Sequence, residues 1–252
     1  RMLKKSVEMY DRLQNEEGMQ FDWKKTGSLR LAATHDRMLE ARRLATMARS
    51  FDLEIEIISP AEAKVLFPLI EQKGLQGASY IPSDGYVDPA SLCQAIASAA
   101  RAQGADIRQG VEVTDFTIHG GRITHVETTA GKYEAQNIIL ATGMWSREIG
   151  AKLGIRVPAC AVEHQYIVTE PHPEIQKRKK DGLPEMGVLR DSDSRWYMRE
   201  EAGGLILGPY EDGAPACYVN GPSKDSEYEL FQEDLDRFCL LYTSDAADEP
   251  KG

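Results

Sequence analysis

The chain has 252 residues, 42% hydrophobic and 28% charged, which is room for one large domain or two ordinary ones. Its formal net charge of −10 argues against a general nucleic-acid binder, which needs a basic face. No run of roughly 18 apolar residues marks a transmembrane helix, so no membrane partner is expected. The four cysteines form no CxxC pair and the five histidines no HExxH-like cluster, so no metal is expected; reduced, mostly buried thiols in a cytoplasmic protein are.

The opening stretch "RMLKKSVEMYDRLQNEEG" reads as one helix ending at Gly18. It lacks the apolar core of a signal peptide, and its abrupt helical start predicts a piece of a longer protein. "GSLRLAAT", Gly27 to Thr34, alternates as a strand. "DRMLEARRLATMARSF" has Met38, Leu39, Leu44 and Met47 at helical spacing, with Asp36 as its cap. "LEIEIIS" alternates as a strand, and Ser59-Pro60 with Glu62 in the first turn opens a helix over "SPAEAKVLFP". Ser83-Asp84-Gly85 signals a turn, and Asp88-Pro89 starts an alanine-rich helix that ends near Gly104. A strand follows, then a hairpin turning at His119-Gly120-Gly121 and another turn at Ala130-Gly131.

"NIILATGMWSREIG", Asn137 to Gly150, raises the first functional question. Its Ile- and Leu-rich run fits a strand buried on both faces. Gly143 removes a Cβ where something needs close approach, and Ser146 is placed to cap the helix that follows. An ordinary strand-to-helix turn explains the same residues.

After Gly150 the texture changes. "VPACAVEHQYIVTEP" reads as one long strand, and "MGVLRDSDSRWYMREEAGGLILGPYE" as two or three antiparallel strands with glycine turns. "KRKK", Lys177 to Lys180, reads as a solvated loop. The final "CLLYTSDAADEPKG" resembles translated sequencing-adaptor read-through, so 239–252 is set aside as a non-native tail. Helices and buried strands in the middle and amphipathic strands elsewhere predict an α/β domain interleaved with an antiparallel sheet.

"ILATGMWSREIG", "VPACAVEHQYIVTEP" and "PEMGVLRDSDSRWYMREEAGGLILGPYE" resemble the dimethylglycine and sarcosine dehydrogenase group, FAD-dependent oxidoreductases of the D-amino-acid-oxidase-like superfamily. "GSLRLAATHDRMLE", "ISPAEA", "YIPSDGYVDPASL" and "GADIRQGVEVTDF" fit the same group in the same order. The resemblance runs from Arg1 to Phe238 and implies a glutathione-reductase-like FAD-binding fold of the D-amino-acid-oxidase type. It implies 1–24 and 75–155 as a partial FAD-binding domain, and 25–74 and 156–238 as a substrate domain. The group's GxGxxG fingerprint is absent, so the expectation is an internal fragment that lacks the N-terminal βαβ unit and, alone, binds FAD poorly.

The resemblance also assigns roles. Ala141, Thr142, Gly143 and Trp145 fall at the cofactor side, and Val113 matches a position whose backbone meets the adenine. The chemistry implied is oxidation of a small amine: a hydride equivalent goes to flavin N5, and the iminium hydrolyses or passes its one-carbon unit to a folate held by a C-terminal module. His164, on a strand of the substrate sheet, and Tyr197, on a neighbouring one, match a histidine and a tyrosine that face the flavin. A core role explains either of them equally simply. Trp196 points away from Tyr197, while Arg195 and Arg199 share the tyrosine's face by strand parity. Arg199 suits a bidentate grip on a substrate carboxylate, with a surface pair to Glu200 or Glu201 as the competing reading. Glu163 is turned away from His164 by the same parity. A glycine-oxidase-like enzyme, or a non-catalytic piece of a flavoprotein complex, are the alternatives.

Overall fold

The computed structural model describes residues 2–211, 213–223, 226 and 229–239. The suspected tail lies outside the described residues, apart from the backbone of Cys239. No helix among the described residues is long and apolar enough to cross a membrane.

In chain order, α1 (Met2–Asp11) runs on through one wide turn to Glu16, and β1 (Ser28–Ala32), α2 (His35–Arg49), β2 (Glu56–Ile58), α3 (Pro60–Leu66), β3 (Gly77–Ile81) and α4 (Pro89–Ala102) follow. Next come β4 (Val113–His119), β5 (Arg122–Thr128), β6 (Gly131–Glu134), α5 (Ser146–Lys152), β7 (Ala161–Val162) and β8 (Ile167–Val168). The chain ends with α6 (Pro173–Lys180), β9 (Val188–Asp191), β10 (Trp196–Glu201), β11 (Gly204–Pro209), β12 (Ala216–Cys217) and α7 (Leu235–Cys239). Two compact units result: Arg1–Gly104, Gln165–Glu211 and Asp234–Gly252 form the larger, Ala105–His164 and Asp212–Glu233 the smaller. The chain changes unit at Gly104/Ala105 and His164/Gln165, whereas the resemblance drew its boundaries at 24/25, 74/75 and 155/156.

The local signals act largely as expected. Asp88 caps α4 by accepting from the Ser91 amide at 2.8 Å, with Pro89 in the first turn. Ser59 and Glu62 cap α3 reciprocally: the Ser59 amide donates to Glu62 at 2.7 Å and the Glu62 amide to Ser59 Oγ at 3.2 Å. The cap of α2 is Thr34, not Asp36; its hydroxyl accepts from the Arg37 amide at 3.3 Å, and Asp36 sits inside the first turn. "KRKK" is the C-terminal half of α6 rather than a loop, where basic side chains oppose the negative end of the helix dipole.

In the larger unit the sheet order is β2-β3-β1-β9-β10-β11-β8, antiparallel except for the parallel pair β1–β9. One face carries Leu29, Leu31, Ala78 and Leu189 into a core completed by Ala63 and Phe67 near α3 and Ile175 of α6. Phe67 and Leu189 are both fully buried. The opposite, more polar face carries Arg30, Ser79, Arg190 and Tyr197 together with Ile81, Val188 and Ile206. There α2 packs on β3, β1 and β2 through Met38, Ala41, Ala45 and Ala48, the buried residues of that helix. Leu39 (45% exposed) and Met47 (54%) lie off this stripe, because small side chains let the helix sit close to the strands. A second core joins Leu13, Phe21 and Trp23 to Leu92, Ala95 and Ala99 of α4.

The smaller unit holds the meander β4–β5–β6 and the two-residue ladder β7–β12. Gly120 (φ +58°) and Gly121 (φ +74°) make the tight hairpin turn the sequence predicts. The expected strand over "NIILATG" is not formed, and Ile139 is 88% exposed rather than buried. Composition supplies a strand's side chains, but a strand exists through its ladder, and among the described residues none pairs with 137–142. The long strand expected over 157–171 is likewise broken into β7 and β8, which belong to different units.

Candidate functional site

Two regions, one per unit, hold the residues singled out from the sequence. In the smaller unit Gly143 has φ +51°, a left-handed conformation that L side chains rarely adopt, and a Cβ built on it would meet no atom within 4 Å. The glycine is therefore required by its backbone and faces open space. Gly143 to Trp145 form a tight turn that leads into α5; Ser146 is the first residue of that helix rather than its cap. Its hydroxyl instead shares a 3.0 Å hydrogen bond with Thr142 Oγ1, which ties the turn to the helix. Ala141 is exposed, Thr142 half-buried, and the Trp145 indole 41% exposed. Val113 opens β4 opposite Thr128, next to an irregularity in the ladder.

In the larger unit Tyr197 lies on β10, as expected, and points to the polar face. It stands opposite Arg190 of β9 on one side and Gly208 of β11 on the other. A Cβ on Gly208 would fall 2.5 Å from Tyr197 Cε1, with Cζ and the hydroxyl nearer still. The phenol thus lies across the glycine, and Tyr210 flanks it with ring centroids 5.4 Å apart. Burial, then Tyr210 and Tyr166, push the Tyr197 pKa up, while Arg199 and Arg190 pull the other way. A phenol is already protonated at neutral pH, and the net rise moves it further from ionisation.

Arg199 is committed to its own neighbours. Its guanidinium pairs with Glu201 at 2.6 Å, donates to the Glu200 carbonyl at 2.9 Å, and stacks 4.3 Å from the centre of the Tyr86 ring. Tyr86 donates to Glu185, whose other oxygen accepts from Lys24 Nζ at 2.7 Å. These groups line a cleft of about 630 Å³ with Asp88, Gln176 and Arg178. Burial, and then the Glu185 contact, push the Tyr86 pKa up to about 12. Burial opposes the charge on Glu185, but Lys24 and Tyr86 outweigh it and hold the carboxyl below its usual range. The sequence reading passed over this cluster, because Tyr86 sits in "SDGYVDP", which registers only as a turn.

His164 is not on the sheet. It is exposed, lies between β7 and β8, and ends the smaller unit, while Tyr197 belongs to the larger. The strand that reaches the sheet here is Ile167–Val168, which pairs with β11; β11 therefore stands between β8 and the strand of Tyr197. With no strand at 163–164, parity says nothing of Glu163, whose amide donates to the Pro215 carbonyl at 2.9 Å. Arg195 occupies the turn before β10 at φ +58°, so it does not share Tyr197's face by alternation either. Of the thiols expected to be buried, Cys93 and Cys160 are exposed.

A family model described as "FAD dependent oxidoreductase" matches residues 1–244. Dimethylglycine dehydrogenase from Rattus norvegicus is 36% identical over 237 residues, which is 92% of this chain and 27% of that protein. Sarcosine dehydrogenase from Mus musculus is 32% identical over 233 residues, 90% of this chain and 24% of that protein. The chain thus spans about a quarter of the length of these curated relatives. Among solved structures, L-proline dehydrogenase from P. horikoshii superposes with a TM-score of 0.74 at 26% identity, covering 96% of this chain and 60% of that one.

Proposed function

We propose that this chain, which belongs to the family of FAD-dependent oxidoreductases, carries part of an enzyme that oxidises a small secondary or tertiary amine of the dimethylglycine or sarcosine class. The observation that carries the reading is Tyr197, a neutral phenol on the more polar face of a mixed sheet, laid across a glycine. The relatives' substrates support the amine class.

FAD, when bound, supplies the acceptor for the electron pair and hydrogen removed from the carbon beside the nitrogen. Ala141, Thr142, Gly143 and Trp145 would lie against it. The turn fits such a group, since Gly143 fronts open space and Trp145 offers a half-exposed aromatic face. Val113 would meet the adenine through its main chain. The sequence has no GxGxxG loop, so no residue of this chain is assigned to the pyrophosphate.

The remaining work is proton control and orientation. An amine is oxidised as the free base, with its lone pair available. Tyr197, neutral as a phenol is near pH 7, orients the nitrogen through its hydroxyl without introducing a charge.

The test is the visible spectrum, under anaerobic conditions, of the flavin-loaded enzyme of which this chain is a part. Dimethylglycine or sarcosine should bleach it, and Tyr197→Phe should slow bleaching by about 10²- to 10⁴-fold. A flavin that neither amine reduces would overturn the proposal.

A further inference from the structure

We propose that Arg190, with Arg30 beside it, forms the subsite for the substrate's carboxylate on the sheet face that carries Tyr197. The inference rests on the amine-oxidising function proposed above and names how that site selects an amino acid over a bare amine.

The argument begins with register. Arg30 of β1 stands beside Arg190 of β9, Arg190 opposite Tyr197 of β10, and Tyr197 opposite Gly208 of β11. Residues in register project from the same face, and neighbouring strands are about 4.8 Å apart. Two arginines thus stand side by side on that face, Arg190 one strand and Arg30 two strands from the candidate catalytic tyrosine. Like charges placed directly beside each other destabilise a sheet unless something neutralises them.

No carboxylate among the described residues does so. Neither Arg30 nor Arg190 takes part in an ion pair or side-chain hydrogen bond among the described residues. Asp84, an acid that lines the same cleft, accepts from Ser28 Oγ at 2.7 Å and from the Gly85 amide at 2.9 Å. Arg199, the other arginine on this face, already has Glu201 and the Tyr86 ring. Arg190 is exposed and Arg30 half-buried, so the pair is open to a ligand from the polar side.

Both arginines line a cleft of about 340 Å³. That size suits a small ligand. Ser28 and Ser79 lie on its strand side, Met47 and Phe51 of the α2 region on its apolar side. The planar fork of a guanidinium grips a carboxylate bidentately, and the apolar wall strengthens the attraction while accepting N-methyl groups.

Calorimetric titration of the same flavin-loaded enzyme with dimethylglycine, and with N,N-dimethylethanolamine as the same amine without the carboxylate, tests this. Arg190→Gln should weaken dimethylglycine binding roughly 10- to 150-fold and leave dimethylethanolamine within about twofold. Arg190→Lys should recover part of the loss, and Arg30→Gln should show a smaller loss of the same selectivity. Equal weakening of both ligands, or of neither, overturns the subsite. Normal dimethylglycine binding by Arg190→Gln in a protein whose flavin that amine still bleaches overturns the subsite and leaves amine oxidation standing. Carboxylate-selective binding with no bleaching supports the subsite and overturns amine oxidation.

Discussion

Gly208→Ala puts the placement of Tyr197 to a direct test. The backbone at Gly208 is ordinary strand, so an alanine meets no conformational barrier there. Its methyl group would, however, fall 2.5 Å from Tyr197 Cε1, about 1 Å inside ordinary carbon–carbon contact. The ring must swing aside, which disrupts its packing on Tyr210 at 5.4 Å. Overpacking costs about 1–3 kcal/mol and a lost aromatic pair about 0.5–1.5, so destabilisation of about 2–4 kcal/mol is expected. A displacement of about 1 Å at a positioned group lowers turnover by about 10²-fold. Urea denaturation of the four proteins in the Gly208→Ala, Tyr197→Ala cycle isolates the cause. With the ring removed, the alanine should stabilise by about 0.5 kcal/mol, because alanine loses less backbone freedom than glycine. If the alanine is equally destabilising in both backgrounds, the ring does not lie across Gly208 and the account of Tyr197 fails.

Asp88→Ala should cost about 1 kcal/mol in urea denaturation by leaving the Ser91 amide without its cap, while Asp88→Asn should lose much less. Glu185→Gln should flatten the acid limb of stability. The folded pKa of Glu185 lies below its unfolded value, so its contribution is complete above the unfolded pKa of about 4.3 and disappears as pH falls through the folded one. The stability gap between the two proteins should therefore narrow as pH falls below about 5 and through the folded pKa, and a constant gap would contradict the Lys24–Glu185–Tyr86 network.

Signals that act within a few residues were legible in the sequence. The Ser59–Glu62 box, the Asp88-Pro89 start and the Gly120-Gly121 turn each satisfy backbone groups within a turn of themselves, so their residue types suffice to identify them. The α2 stripe was misjudged for a related reason. The eye follows large apolar residues such as Leu39 and Met47, whereas close packing on a sheet selects Ala41, Ala45 and Ala48. The run 137–142 failed differently: its Ile and Leu content states what a strand would bury, but not whether a neighbouring backbone is present to pair with it.

The same distinction separates the two arginines proposed for one task. Parity along β10 is local, so it brings Arg199 to attention as the residue two positions from Tyr197. Parity cannot report that Glu201, two positions further along the same face, already holds that guanidinium. Arg190 and Arg30 join the row of Tyr197 only through β1–β9 and β9–β10 pairing, and the stretch Ala105–His164 of the smaller unit lies between β1 and β9 in the chain. No spacing in the sequence encodes that row. Once the register is known, an arginine directly opposite the phenol with no ion pair among the described residues is a stronger claimant for an anion than a paired one on the same strand as the phenol. Its like-charged neighbour makes the vacancy costly, and a bound carboxylate removes that cost.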